Sequence, residues 1–583
     1  MTDRWLNYVL SVVVVLGMIG VAIYNQPRDR QERAEFLDQE LTEIEDDPGP
    51  VEDRDPVELQ RRADRDEAPT GADEETEEPA AEPLLAEYGV SASHPDAVDV
   101  GMQVLEGGGN AVDAAIAVAY ALGVAEPFGS GIGGGGAMLI QPADGPPSYY
   151  DYREITPLSG ELPASDIGVP GFVAGMEVIH DDHGTVELAD LIEYAARLAE
   201  DGVEVDQYLN ERMRGAAHRM PIHLLPRLFP DGTAIAAGET LRQPEYAQAL
   251  RLIQEQGSDV MYRGELAQAI VDAVNGLELD DFDDYEVLEL EPAVGSFAGY
   301  EIVSGGAPVS GPPLVQLLQI AETSGVADVD PRSAEGIHLM AQAWRLANDQ
   351  RSTYIGDPSQ EDVDLDRLLS REYTDALAER IPDDGFAPVE DEEDVLSLET
   401  DTTQVVVVDR QGTMVSMTNT LSNFFGSGLP VSGFFLNDQL KNFDPEPDSI
   451  NHTAPGKRPR SFITPTIVLD DGRPVLGLGS PGGRRIPNIV AQVLVRWAAL
   501  DEPLDDAVVA PRFHLEARRL ELEEAVSDGE RQALQQRGYE VTTDVPTTEY
   551  FGGVQVLEID WDAGTIDGVA DARRAGSWAS AGG

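Results

Sequence analysis

A chain of 583 residues with 42% hydrophobic and 25% charged residues has enough apolar material for one large core or several smaller ones. Its 108 acidic against 39 basic residues leave a formal net charge of -69, which excludes phosphate-backbone binding and so nucleic acid as a partner. The lack of any cysteine excludes disulfides, thiolate metal sites and a Cys nucleophile.

The charge itself reads as a solvation device. In molar salt the Debye length is about 3 Å, so self-repulsion is screened while the carboxylates hold water. A high-salt environment suits such a surface; a cation-binding surface is the alternative.

Residues 6–24 (LNYVLSVVVVLGMIGVAIY) follow a short tail, 1–5, and form an apolar run. As a helix it would measure about 28 Å, close to the hydrocarbon thickness of a bilayer. Trp5 and Tyr24 stand where interfacial aromatics belong. No small-x-small cleavage site closes the run, so the sequence predicts an uncleaved transmembrane anchor. Arg28, Arg30 and Arg33 follow it, and by charge alone they place the rest of the chain in the cytoplasm. Residues 25–84 are acidic, contain prolines and have few aromatics, as in DEETEEPAAEP at 73–83; they read as a disordered linker.

Globular patterning begins near Tyr88. NAVDAAIAVAYALGV, from Asn110 to Val124, is apolar almost all round and predicts a buried helix. SGIGGGGAMLI at 130–140 lacks the Gly-Lys-Ser/Thr ending of a phosphate loop, so it reads as a tight turn entering a strand. His94 and His183 lack metal-ligand spacing and read as structural. Leu188 to Gly202 is amphipathic with a glycine stop. Thr403 to Val408 and Met414 to Thr418 flank Arg410-Gln411-Gly412 and predict a hairpin. Thr466 to Leu469 and Val475 to Leu478, around Asp471-Gly472, predict another. Interleaved helices and hairpins point to an α+β chain rather than a purely parallel sheet.

One series of segments carries a resemblance. GGNAVDAA (108–115), ALGVAEPFGSGIGGGGAMLI (121–140), YDYRE (150–154) and GVPGFVAG (168–175) come first. DTTQVVVVDRQGTMVSMTNT (401–420), TPTIVL (464–469), GSPGGRR (479–485), APRFH (510–514) and ADARR (570–574) come later, with NDQRSTYIGDP (348–358) between the two groups. Together, from about Ser91 to Arg574, they resemble the γ-glutamyltranspeptidase (glutathione hydrolase) family.

The resemblance implies an N-terminal-nucleophile hydrolase, a four-layer αββα sandwich. It implies self-cleavage between Asp401 and Thr402, giving a large part (85–401) and a small part (402–583) that remain associated. The chemistry explains the cut. A Thr hydroxyl is a weak nucleophile at neutral pH, whereas a free α-amino group has a pKa near 8 and can take its proton. By the same resemblance Thr420 orients Thr402, and Gly482 and Gly483 supply oxyanion N–H groups. Arg153 matches the residue that grips the donor carboxylate.

Around that pocket the chain departs from the family pattern. Ser461 keeps one hydroxyl of a serine pair whose second member is Phe462. Gln439 matches at the amine end, but Asn442 stands for an Asp and Ser422 for an Asn. Gln404 replaces a His two residues after the nucleophile. A neutral Asn442 cannot ion-pair an ammonium group, and burying that charge alone costs several kcal/mol.

The leading expectation is a γ-glutamyl hydrolase or transferase. It would act on a small γ-glutamyl amide, with water, an amine or a peptide as acceptor. An acylase for glutaryl-like amides is the alternative; an inactive membrane-tethered binding protein is a further one. No cofactor or metal is expected. The resemblance favours an extracytoplasmic catalytic domain, against the arginine count.

Overall fold

Alternation along one strand reveals the layering. In Thr400–Val408, Val405 and Val407 enter one hydrophobic cluster, while Val406 and Val408 enter another. Successive strand side chains point to opposite faces, so this sheet is buried on both. The computed structural model describes residues 84–163, 165–389, 400–545 and 548–582. The stretches 1–5 and 6–24 and nearly all of 25–84 lie outside the described residues, as does 390–399 just before the expected cut. Among the described residues no helix is long and apolar enough to cross a membrane.

The first sheet has seven strands, in the order Ser577–Gly582, Glu87–Ala92, Thr400–Val408, Met414–Asn423, Gly135–Gln141, Ser148–Asp151 and Leu288–Leu290. The second has six, in the order Thr565–Gly568, Gln555–Asp560, Arg473–Gly479, Thr466–Asp470, Tyr300–Ser304 and Ala293–Phe297. Neighbours within both sheets are antiparallel. Leu139, Val406, Met414, Ile467, Leu557 and Ile559 fill the space between the sheets. A Cβ on Gly477 would lie 2.6 Å from the Met414 sulfur, so glycine there lets the sheets approach.

Helices cover the two outer faces. Ala111–Ala125 packs on Thr400–Val408 and Met414–Asn423 and carries Pro95–Glu106 and Leu188–Asp201 beside it. Every residue of Ala111–Ala125 is buried, as its all-round apolar sequence requires. The Asn110 and Asp113 side chains close its first turn as a capping box. On the other side Gly311–Thr323 covers Ala293–Phe297 and Tyr300–Ser304, and Ile486–Leu494 covers Arg473–Gly479. The layers therefore run helix, sheet, sheet, helix.

Both predicted hairpins form, with longer strands than the periodicity suggested. The second turns through Asp471 (φ +47°) and Gly472 (φ +81°), the left-handed pair that suits a tight antiparallel turn. His94 caps Pro95–Glu106 by accepting from the Asp96 N–H, and His183 bonds the Tyr150 hydroxyl at 2.9 Å.

Candidate active site

The hairpin that carries both threonines is regular only as far as Asn419. Pairing runs from Met414 opposite Val408 to Asn419 opposite Thr403, then resumes with Ser422 opposite Asp401. Thr420 and Leu421 therefore both stand against Thr402, a β-bulge that re-aims the side chains there. The result brings the Thr402 and Thr420 hydroxyls together, the Thr402 Oγ1 donating to Thr420 Oγ1 at 3.4 Å. The Ser422 N–H donates to Thr420 Oγ1 at 2.9 Å. Ser422 itself sits at φ +80°, an unfavourable region for a residue with a Cβ. Both threonines are buried.

The glycine-rich segment explains how two strands and a loop crowd round this point. A Cβ on Gly134 would lie 2.3 Å from the Thr420 carbonyl oxygen, and one on Gly135 would lie 2.7 Å from Arg153 Cα. No side chain larger than hydrogen fits, so the segment is a close-packing device. Thr403 turns the other way and donates to Ser130 Oγ at 2.8 Å. Gln404 points between the sheets, accepting from Thr418 Oγ1 at 2.5 Å and donating to Ser416 Oγ at 3.0 Å. Its amide thus satisfies an inter-sheet polar network.

Gly482 and Gly483 have φ +141° and +58°, and the short helix Gly483–Arg485 packs against Thr400–Val408. This turn therefore lies beside the strand that carries Thr402.

Arg153 lies close by, because Gly135 pairs with Thr420 and touches Arg153. Its guanidinium is fully buried and already engaged. Nε and Nη2 donate to the Asp151 carboxylate at 3.1 and 2.7 Å, and Nη1 donates to the Pro459 carbonyl at 2.6 Å. Asp151 thus takes the Nε–Nη2 edge of the fork, and a ligand carboxylate would meet the remaining N–H groups. Ser461 is buried, and its carbonyl accepts from Ser310 Oγ at 2.7 Å. Phe462 lies under the Arg351 guanidinium, 3.6 Å from ring centre to the charge, and packs as a cation–π partner.

The segment from Asn437 to Asn442 is tied to the glycine-rich turn and to Gly168, the Asn437 Nδ2 donating to the Gly133 and Gly168 carbonyls. Asn437 Oδ1 accepts from the Gly168 and Gln439 N–H groups. Gln439 is buried, and its Nε2 has no hydrogen-bond partner among the described residues. Asn442 is half-buried, and its carbonyl accepts from Asn451 Nδ2. Asp438 accepts from the Asn423 N–H at 2.9 Å and pairs with Lys441 at 3.1 Å.

Asp151, Glu154 and Asp438 are acidic side chains of this region that the motif comparison passed over. Two flank Arg153 within the quoted YDYRE stretch, and the third precedes Gln439, so their positions were the available signal. Glu154 is fully buried, and its carboxylate has no partner beyond its own backbone N–H among the described residues. Burial pushes its pKa up to about 8, against the lowering pull of a backbone hydrogen bond and of Arg153. Among the described residues no cluster of His, Cys, Asp and Glu has a metal-binding arrangement.

The chain is similar to known proteins along most of its length. The family model described as Gamma-glutamyltranspeptidase matches residues 97–581. The chain is 41% identical to the capsule biosynthesis protein CapD proenzyme of Bacillus anthracis, over 85% of this chain and 90% of that one. It is 33% identical to the glutathione hydrolase proenzyme of Bacillus subtilis, over 84% and 90%. Among solved structures, a cephalosporin acylase from Bacillus halodurans superposes with a TM-score of 0.77 at 26% identity, covering 88% of this chain and 99% of that one. The extent of these matches, on a sandwich whose central hairpin brings two threonine hydroxyls together, makes the chain a member of the γ-glutamyltranspeptidase family of self-processing N-terminal-nucleophile hydrolases.

Proposed function

We propose that the chain cuts its own Asp401–Thr402 bond. The freed Thr402 then transfers γ-glutamyl groups from glutathione-like amides to water, an amine or a peptide. The observation that carries this reading is the bulge that sets the Thr402 and Thr420 hydroxyls 3.4 Å apart. Before the cut the Thr402 nitrogen is an amide and cannot accept a proton. Afterwards it is an amine with a pKa near 8, adjacent to its own hydroxyl. It takes the Oγ1 proton as Oγ1 attacks the donor carbonyl, and returns that proton to the leaving amine. The ester left on Thr402 is then opened by water or by an acceptor amine. Gly482 and Gly483 hold the tetrahedral oxyanion. Thr420, itself fixed by the Ser422 N–H, holds Thr402 Oγ1 in line.

The two fragments would stay together. Thr400–Val408 pairs with Glu87–Ala92, and Met414–Asn423 pairs with Gly135–Gln141, so strands from both sides of the cut share one sheet.

A second reading is an acylase for glutaryl-like amides. It is favoured by the neutral Asn442 and by the likeness to a cephalosporin acylase. One comparison separates the two: kcat/KM for γ-glutamyl and glutaryl anilides with the purified protein. The main reading also requires a smaller fragment beginning at Thr402 and a single uncut chain for Thr402→Ala. An intact chain with full activity would overturn it.

A further inference from the structure

Arg212 stands on the helix Gln207–Ala216, one turn after Tyr208. At that spacing the two side chains share a helix face, and the guanidinium lies 4.7 Å from the Tyr208 ring centre. The Phe424 ring centre lies 4.8 Å from the same guanidinium, so two aromatic rings hold the cation in place. Acidic residues outnumber basic ones by 108 to 39, yet no carboxylate pairs with this arginine and no oxygen accepts from it among the described residues. Its Nε is buried without a hydrogen-bond partner, while the residue as a whole is half-buried, so the Nη end is the accessible part. Buried N–H groups are normally satisfied. A guanidinium held by rings alone, in a chain with carboxylates to spare, is built for an anion from outside the chain.

The aromatic platform leads to the candidate nucleophile. Phe128 packs edge-on against Tyr208, with ring centres 5.3 Å apart, and meets Phe424 at 6.3 Å. The next residue touches the reacting strand: a Cβ on Gly129 would lie 3.8 Å from the Thr402 carbonyl carbon and 3.0 Å from Thr403 Cγ2. The Leu421 N–H of the bulge donates to the Gly129 carbonyl at 3.0 Å, and the Phe425 N–H to the Phe128 carbonyl at 2.8 Å. The Tyr208 ring also meets the Arg574 guanidinium at 5.9 Å. Arg574 reaches the Glu549 carbonyl, next to Tyr550, whose own carbonyl holds Arg485 of the oxyanion turn. Arg153 thus approaches the threonine pair through Gly135, on the Thr420 strand, whereas Arg212 approaches it through Gly129, on Thr402 itself.

We propose that Arg212 binds a carboxylate on the amine part of the amide that Thr402 cleaves. The planar fork of the guanidinium suits such a group. Transfer reverses the acylation step, so the same arginine receives the carboxylate of an acceptor peptide. This deepens the reading of the reaction given above and names its leaving-group class: amines that carry an acid, such as the carboxyl end of a peptide. The acyl part remains the business of the Arg153 side.

The test measures kcat/KM of the full, matured protein for γ-glutamyl anilides with and without a carboxylate on the aniline ring. It compares wild type, Arg212→Gln and Arg212→Lys, and repeats the pair with a glutaryl acyl group. Appearance of the two fragments reports that each variant has folded. Wild type should prefer the carboxylated anilide. Arg212→Gln should cut that preference by about 10-fold, mainly through KM, as expected for one lost hydrogen bond between charged groups. Arg212→Lys, which keeps the charge without the fork, should retain part of it. No preference in wild type, or an equal loss for both anilides in Arg212→Gln, overturns the proposal while leaving the γ-glutamyl reading intact. Cleavage of the glutaryl pair alone overturns the γ-glutamyl reading, and the carboxylate preference within that pair still tests Arg212. A protein that cleaves none of the four anilides overturns both.

Discussion

Glu154→Gln should stabilise the protein at neutral pH, and the gain should shrink as the pH falls. The ordinary carboxylate value is 4.5, and burial raises that of Glu154 to about 8 in the folded state. Between those values the unfolded chain ionises this group while the fold keeps it protonated. The stability it contributes is therefore complete below pH 4.5 and is lost as the pH rises through about 8. Each pH unit in that window is worth about 1.4 kcal/mol, so at pH 7 the carboxyl costs the fold on the order of 3 kcal/mol. Gln has nearly the same shape and does not titrate, which isolates the ionisation from the packing. The assay is denaturant unfolding of the matured protein at fixed ionic strength, from pH 5.5 to 7.5. The variant's midpoint should draw ahead of wild type as pH rises, by about 1.4 kcal/mol per unit. Two curves that stay parallel across this range would refute the reasoning, because Glu154 would then find a partner or water in solution.

Other outcomes follow from the site and the chain around it. Thr420→Val keeps the β-branched shape but removes the hydroxyl that meets Thr402 at 3.4 Å, so kcat should fall by about 100-fold with KM little changed, measured on γ-glutamyl anilide. Gly134→Ala would drive a Cβ to 2.3 Å from the Thr420 carbonyl; a denaturing gel should show accumulation of the uncut chain. We propose that the apolar run 6–24 tethers the chain and that its catalytic part lies outside the membrane. Protease added to intact cells should then degrade it, and full protection would favour the arginine-based orientation instead.

What the sequence determined by itself is what depends on local period and composition. The run VVVV in 405–408 and the Asp471-Gly472 turn announce strands and hairpins, because alternation and left-handed turn residues act over a few positions. The all-apolar surface of 111–124 announces a buried helix for the same reason. The order of motifs identified the family and pointed to Thr402, Thr420 and the Gly482-Gly483 turn.

Tertiary structure alone decided how those groups are aimed and which charges are matched. A simple hairpin register would set Thr420 opposite Thr402; the extra residue of the bulge, which turns its hydroxyl, leaves no mark in the alternation. Arg153 reads from sequence as a free fork, yet Asp151 occupies one edge of it and the Pro459 carbonyl takes Nη1. Glu154 reads as one carboxylate among 108 acidic residues, and becomes distinct only in the fold, where it is fully buried with Gly168 packed on its Cβ. The physical reason is range. Backbone periodicity is set by neighbours along the chain, whereas desolvation and ion pairing are set by segments far apart in sequence, which fix a buried charge only once they have packed.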